Sequence, residues 1–229
     1  VRVVSLVPSV TETLLAWGVD VVACTRFCEQ PGLRHVGGTK DPAVAEIVSI
    51  RPDVVVVDDE ENRREDADAL VAAGLRVHVT RVRGVDDVHP VLVAMADAVG
   101  VAPPAPWDLP GPPPGPPRRA FVPIWRRPWM SLAADTYGAS VLGRCGLVSV
   151  VADAVERYPT VTLDEVAERG CDVVLLPSEP YPFAARHVAE VADVLGVPVH
   201  LVDGQDLFWW GVRTPAAIDR LRGALVGPA

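Results

Sequence analysis

EIVSIRPDVVVVDDEE, residues 46–61, decides the fold, because the chain contains a version of it twice. Residues 165–180 read EVAERGCDVVLLPSEP. Glu46 aligns with Glu165, Asp53 with Asp172 and Glu60 with Glu179, each pair 119 positions apart. A constant offset over that length marks a repeated supersecondary unit. Each copy runs on into a helical pattern, REDADALVAAGLRVHVT after the first and ARHVAEVADVLGVPVHLV after the second. Gly74 and Gly196 stand where those helices should end, at the position that favours a residue of positive φ, and a short apolar strand follows each. Their spacing of 122 places a three-residue insertion in the second copy.

Both halves also begin alike, RVVSLVPS before TETLLAWG and RAFVPIW before YGASVLGRCG. Short apolar strands alternating with helices of about ten residues predict parallel sheets built from βαβ units. Helices over both sheet faces explain why VVVV needs no polar alternation. The fold class expected is α/β: two Rossmann-like βαβ lobes whose parallel sheets face a central cleft, joined by a helix and a Pro-rich linker. The helical DVHPVLVAMADAVG closes at Gly100, and seven prolines between 103 and 114 then forbid a helix or a ladder. The chain accordingly divides into an N-terminal lobe over 1–85, a linker helix and Pro-rich segment over 86–118 that runs extended along the surface, and a C-terminal lobe over 119–229.

With 229 residues, 49% of them hydrophobic, the chain has ample material for a packed core. A net charge of −9 excludes a phosphate-tracking nucleic-acid binder, which needs a basic face. No apolar run approaches the roughly 20 residues that span a bilayer. The chain enters a strand at once, without a charged leader or cleavage site, which fits a mature secreted form or a cytoplasmic protein. Four cysteines are too few and too scattered for a disulfide framework.

In open parallel sheets ligands bind beyond the carboxyl ends of the strands, where helix N-termini converge. Those ends carry PSVTE (8–12), RFCEQP (26–31), DDEEN (58–62), IWRRPWM (124–130), ERYP (156–159), SEPYPF (178–183) and LFWWGVR (207–213). Four of the six tryptophans fall there: Trp125, Trp129, Trp209 and Trp210. Trp joins a large apolar face to one N–H, which suits stacking on a conjugated ring and equally suits closing a core. Period 2 lets at most one of Trp209 and Trp210 face a ligand. Arg126, Arg127 and Arg213 would fork onto carboxylates or phosphates of a ligand, or bridge to the acidic loop of the other lobe. Helix capping accounts for one or two of Asp58 to Asn62. The surplus, Glu60 or Glu61, would meet a cationic group, a metal or Arg126.

A resident metal is not expected. The five histidines do not cluster, and His78 and His200 are repeat equivalents that read as structural. Cys24 and Cys28 lack the second pair that zinc would require, although Cys28 stands at the lip of the cleft. Catalysis is not expected either: G-x-G-x-x-G and G-x-S-x-G are missing, GGTKD (37–41) lacks phosphate-loop spacing, and Ser9 and Ser178 have no evident His. The competing readings are a cytoplasmic α/β enzyme, with a His or Lys within reach of Glu60 or Glu179, and a direct Zn or Mn receptor using cleft carboxylates.

Six phrases occur in a fixed order and cover most of the chain: RVVSLVPSVTETLLAWG, VGGTKDPAVAEIVSIRPDVVV, NRREDADALVAAGLRV, FVPIWRRPWM, YPTVTLDEVAERGCDVVLLPSEPYPF and DGQDLFWWG. Together they resemble the periplasmic-type, class III substrate-binding proteins of ABC importers, the helical-backbone metal receptors, most of all the branch for cobalamin and ferric siderophores. The resemblance implies a non-catalytic, extracytoplasmic, monomeric receptor without a permanent cofactor. Its ligand would be a ring-containing metal chelate, a corrinoid, haem or ferric siderophore, handed to an ABC-type permease. The branch's aromatic pocket would fall on Trp129 and Tyr158, and its first-lobe aromatic on Asp58, which is not aromatic. Permease docking would fall on Glu65, beside Arg64, and on Asp164 or Glu165. The full set of candidate ligand contacts is Ser9, Phe27, Glu60, Glu61, Trp125, Arg126, Trp129, Tyr158, Glu179, Trp209, Trp210 and Arg213.

Overall fold

The repeated aliphatic run lies at the heart of a parallel sheet in each half of the protein. The computed structural model describes residues 1–226. They form two compact units, one of Val1–Val82, Asp86–Trp107 and Trp210–Val212, the other of Arg83–Val85, Asp108–Trp209 and the segment from Arg213 onward.

The first unit contains β1 (Arg2–Ser5), α1 (Pro8–Ala16), β2 (Asp20–Cys24), β3 (Arg34–His35), α2 (Val44–Ile50), β4 (Val54–Asp58), α3 (Arg64–Ala72), β5 (Val77–Thr80) and nearly all of α4 (Val85–Val99). Its sheet runs β3-β2-β1-β4-β5, every pair parallel. All five residues of β4 are buried. Val55 and Val57 pack with Val4, Leu6, Ala23, Ile47 and Leu70, as a strand covered on both faces requires.

The second unit contains β6 (Arg118–Phe121), β7 (Trp129–Met130), α5 (Tyr137–Arg144), β8 (Leu147–Ser149), β9 (Thr160–Val161), α6 (Leu163–Glu168), β10 (Val173–Pro177), α7 (Val188–Leu195), β11 (Val199–Val202), α8 (Gly204–Phe208) and α9 (Thr214–Val226). Its parallel sheet runs β8-β6-β10-β11, and β7 pairs antiparallel with β9. The order is that of β2-β1-β4-β5, so the repeated sequence corresponds to a repeated topology.

The repeat extends to single hydrogen bonds. Asp53 Oδ2 accepts from the Arg2 backbone N–H at 2.6 Å, and its repeat equivalent Asp172 accepts from Arg119 at 2.6 Å. Each aspartate ties the entry of a central strand to the strand beside it. Gly74 and Gly196 end their helices with φ of +82° and +63°, as their positions in the sequence predict.

One repeat position departs from the pattern. The helix before β10 ends on Gly170 at φ +75°, whereas α2 ends on Arg51 at φ +50°. A side chain in the left-handed region brings Cβ against the following carbonyl, a strain glycine avoids. Arg51→Gly is therefore expected to stabilise the protein by roughly 0.5–1 kcal/mol, read as a higher urea midpoint at unchanged slope.

After α4 the chain turns at Gly100 (φ +75°), and residues 101–117 form neither helix nor strand. A polyproline run offers carbonyls and few donors, so side-chain donors must hold it. Within the first unit His89 Nε2 lies 3.2 Å from the Pro104 carbonyl, which assigns that nitrogen as the donor. Within the second, Arg222 on α9 donates to the carbonyls of Pro110 and Gly111. Among the described residues no helix is long and apolar enough to cross a membrane.

Candidate functional site

The acidic run leaves β4 in a turn that Asp58 closes. Its buried carboxylate accepts from the backbone N–H of Glu60 at 3.0 Å and of Glu61 at 3.3 Å, and from the Thr80 hydroxyl at 2.9 Å. The Asp58 N–H in turn donates to Asn62 Oδ1 at 2.8 Å, and Asn62 Nδ2 reaches the carbonyls of Leu6 and Thr39. Lys40 donates to the Glu60 carbonyl at 2.6 Å, and Arg81 lies 3.4 Å from the Asp59 carboxylate. This corrects the expectation of helix capping: the N-cap of α3 is Arg63, which makes no side-chain cap bond. The run stops one residue short of the cap, and Asp58, Asp59, Glu60 and Asn62 instead join the end of β4 to the ends of β1 and β5 and to the GGTKD loop. Lys40 meets Glu60 through the main-chain carbonyl.

Burial pushes the Asp58 carboxyl above its ordinary value, against the lowering effect of the Glu60 and Glu61 N–H groups and Thr80. The Glu61 carboxyl also rises, first through desolvation and then through the Asp58 charge. Glu61 is exposed as a residue, so solvent screens the effect and it carries no stability weight. A carboxyl raised in the folded state contributes stability below its unfolded pKa and loses it as pH climbs through the folded value. Asp58→Asn keeps one acceptor for the two N–H groups and turns its amide toward Thr80, which still donates to the Val57 carbonyl at 3.1 Å. The variant is expected to gain stability on the order of 1 kcal/mol at neutral pH and none at about pH 3, as read from urea denaturation at both.

In the second unit the chain folds back at 125–130, where Ile124 N–H donates to the Met130 carbonyl at 2.8 Å and Met130 N–H to the Trp125 carbonyl at 3.2 Å. Arg127 takes φ +71° at the tip. This turn presents Trp125, 46% exposed, with its ring edge-on to Tyr181 at 5.6 Å between centroids. Trp129 is stacked parallel to Phe183 at 5.9 Å and edge-on to Phe121 at 6.2 Å. Tyr181, Phe183 and His187 complete the cluster. His187 Nδ1 accepts from the Ala184 N–H at 3.0 Å, so the neutral ring carries its proton on Nε2. Arg126 has a partner the sequence did not suggest, Glu190 on α7 of its own unit, at 2.8 and 2.9 Å. The segment before β9 runs along residues 131–133 through Ser131 N–H to the Pro159 carbonyl and Ala133 N–H to the Arg157 carbonyl. That places Tyr158 beside the Trp129 segment, with the Arg157 guanidinium over its ring at 5.4 Å.

Trp209, half-buried, lies under the Arg213 guanidinium at 5.1 Å, whereas Trp210 is buried in the first unit. Arg213 also donates to Gln205 Oε1 at 2.9 Å and lies 3.5 Å from buried Asp206. Glu179 is half-buried against α8, where Gly204 leaves room for it: a Cβ there would stand 2.6 Å from the Glu179 nitrogen. Phe27 is exposed with Arg26 over its ring at 4.8 Å, and Ser9 is buried in α1. Of the docking candidates, Glu65 and Asp164 are exposed. Glu165 closes a capping box with Thr162, accepting from its N–H at 2.7 Å, and those bonds hold its carboxyl below the ordinary value.

Tyr181 and Phe183 stand in SEPYPF, a segment placed at the site by its position after a strand, but neither was singled out. His187 and Glu190 were missed altogether, and no sequence signal marks them. Among the described residues no group of three or more His, Cys, Asp or Glu side chains is placed to hold a metal ion.

No protein-family model and no curated protein sequence matches the chain. Solved structures do. The periplasmic vitamin B12-binding protein BtuF of Vibrio cholerae aligns over 98% of this chain and 96% of its own, with TM-score 0.78 and 18% identity. The periplasmic haem-binding protein BhuT, in complex with two haems, aligns over 98% and 97%, with TM-score 0.80 and 20% identity. The periplasmic haem-binding protein HutB of Vibrio cholerae aligns over 99% of both chains, with TM-score 0.78 and 18% identity. The chain has the fold of the class III substrate-binding proteins of ABC importers. At these identities the match is one of fold, and the side chains at the strand ends must argue the ligand for themselves.

Proposed function

We propose that this chain is an extracytoplasmic receptor that captures a flat metal chelate, a corrinoid or haem, and hands it to an ABC-type permease without performing chemistry on it. The observation that carries the reading is the aromatic cluster of the second unit. Trp125 stands on its turn against Tyr181 while nearly half its surface stays in solvent, an arrangement that costs hydrophobic free energy unless something covers the ring. A fold shared with proteins named for vitamin B12 and haem supports the same ligand class.

In this reading Trp125, Tyr158 and Trp209 of the second unit give stacking surface, backed by Trp129. Arg213 meets acidic or amide groups around the ring and Glu179 anchors a polar edge, while Arg126, held by Glu190, fixes the turn that carries Trp125. Ser9 and Trp210 are both buried and stand outside this ligand surface. The permease would meet Glu65 on one unit and Asp164 on the other, because Glu165 is occupied in its capping box.

The test is tryptophan fluorescence during titration with cobalamin, cobinamide, haem and a panel of ferric siderophores, corrected for ligand absorbance. Saturable quenching by a corrinoid or by haem is expected. A response to siderophores alone would keep the receptor and replace its ligand class, and silence toward all of them would sink the reading.

A further inference from the structure

We infer that Cys24 and Cys28 are a reactive dithiol that closes to an intramolecular disulfide, a covalent modification site in the first unit that is independent of the ligand proposal. Cys24 is the last residue of β2, and the chain turns immediately, with Cys28 N–H donating to the Thr25 carbonyl at 3.1 Å. The turn sets the two side chains beside each other, near enough that each shifts the ionisation of the other. Both residues are buried, at 0% and 2% exposure, and both are free thiols.

Hydroxyl groups surround one sulfur of the pair. Cys28 Sγ lies 3.2 Å from Thr11 Oγ1 and 3.1 Å from Thr25 Oγ1. A hydroxyl that donates to a sulfur favours the thiolate, the form that reacts. The Cys24 thiol first, then Thr11 and Thr25, pull Cys28 below its ordinary value against desolvation, while Cys24 is pushed up. The remaining cysteines differ: burial raises Cys145 to about 11 and raises Cys171 as well. Four-residue spacing hinted at zinc, but among the described residues no further ligands stand near enough to hold a metal. The chemistry left to the pair is that of the thiols themselves.

Hydrogen peroxide is an oxidant small and uncharged enough to enter during local opening. The Cys28 thiolate attacks one peroxide oxygen, the O–O bond breaks, and hydroxide leaves to take a proton as water. Cys24 then loses its proton and attacks the Cys28 sulfenic sulfur, forming the S–S bond and expelling a second hydroxide that becomes water. Two thiols and one peroxide give one disulfide and two waters.

Arg26 lies between the cysteines, so trypsin reads the outcome directly. Native protein is treated with limiting peroxide, its remaining thiols are alkylated, and it is digested without reductant. The disulfide joins peptide 3–26 to peptide 27–34, about 2 Da below their sum, and dithiothreitol separates them. That linked pair is expected before Cys145 or Cys171 changes. In Cys24→Ser the Cys28 sulfenic acid has no resolving thiol and is expected to be trapped by dimedone. Recovery of Cys24 and Cys28 as alkylated thiols, their separate over-oxidation, or linkage only after unfolding would each overturn the inference.

Discussion

Asp206→Ala is expected to destabilise the protein by about 3–4 kcal/mol, a large effect for a single truncation. Asp206 is 3% exposed and accepts from Arg220 Nε at 2.8 Å and Nη2 at 2.5 Å. Arg213, with 16% of its side chain exposed, lies 3.5 Å from the same carboxylate. Removing the carboxylate strands a desolvated guanidinium opposite a second one, and the penalty is that of an uncompensated buried charge. Asp206→Asn should cost less, because it keeps an acceptor. Arg220→Ala should also cost less, since solvent already screens that arginine. Urea denaturation measures all three. A loss below about 1 kcal/mol for Asp206→Ala would mean that water replaces the carboxylate and that the Arg213–Trp209 pair is not held by it.

Trp125→Ala is expected to lower chelate affinity at least about tenfold, on the order of 1.4 kcal/mol of binding, with less than about 1 kcal/mol lost in stability. Trp125 is close to half exposed and has one aromatic neighbour, Tyr181, so little core depends on it. Trp129→Ala behaves in the opposite way. Its ring is packed between Phe183 and Phe121, and truncation is expected to cost about 3 kcal/mol of stability. Loss of binding in Trp129→Ala alone would therefore not identify a ligand contact. The two variants, followed by fluorescence titration and by urea denaturation, separate a ligand surface from its support. If Trp125→Ala binds like the parent protein, the exposed ring is not the ligand face, and Trp209 with Arg213 becomes the leading candidate.

The α/β class, the parallel sheets and the internal duplication were all legible in the chain. Their signals are local: aliphatic runs of strand length, helical periodicity, glycines at helix ends and a constant offset between two copies. Backbone geometry then reproduced the repeat down to Asp53 and Asp172, because an aspartate at a strand entry acts on whichever strand lies beside it. Side-chain partners were another matter. DDEEN reads as an acidic patch poised for a ligand, yet Asp58 and Asn62 are consumed by turn N–H groups and by carbonyls 23 and 56 residues away. Arg126 reads as a free cation and is clamped by Glu190, 64 residues on. Glu165 reads as a docking carboxylate and closes a capping box three residues wide.

Sequence by itself determined which elements form and that they form twice, since propensity and periodicity act over one or two turns of chain. Only tertiary structure decided which polar groups are spent on the fold and which aromatic rings stay in water. Burial and hydrogen-bond satisfaction depend on atoms that distant segments bring together, and nothing in the spacing of residues along the chain encodes that meeting.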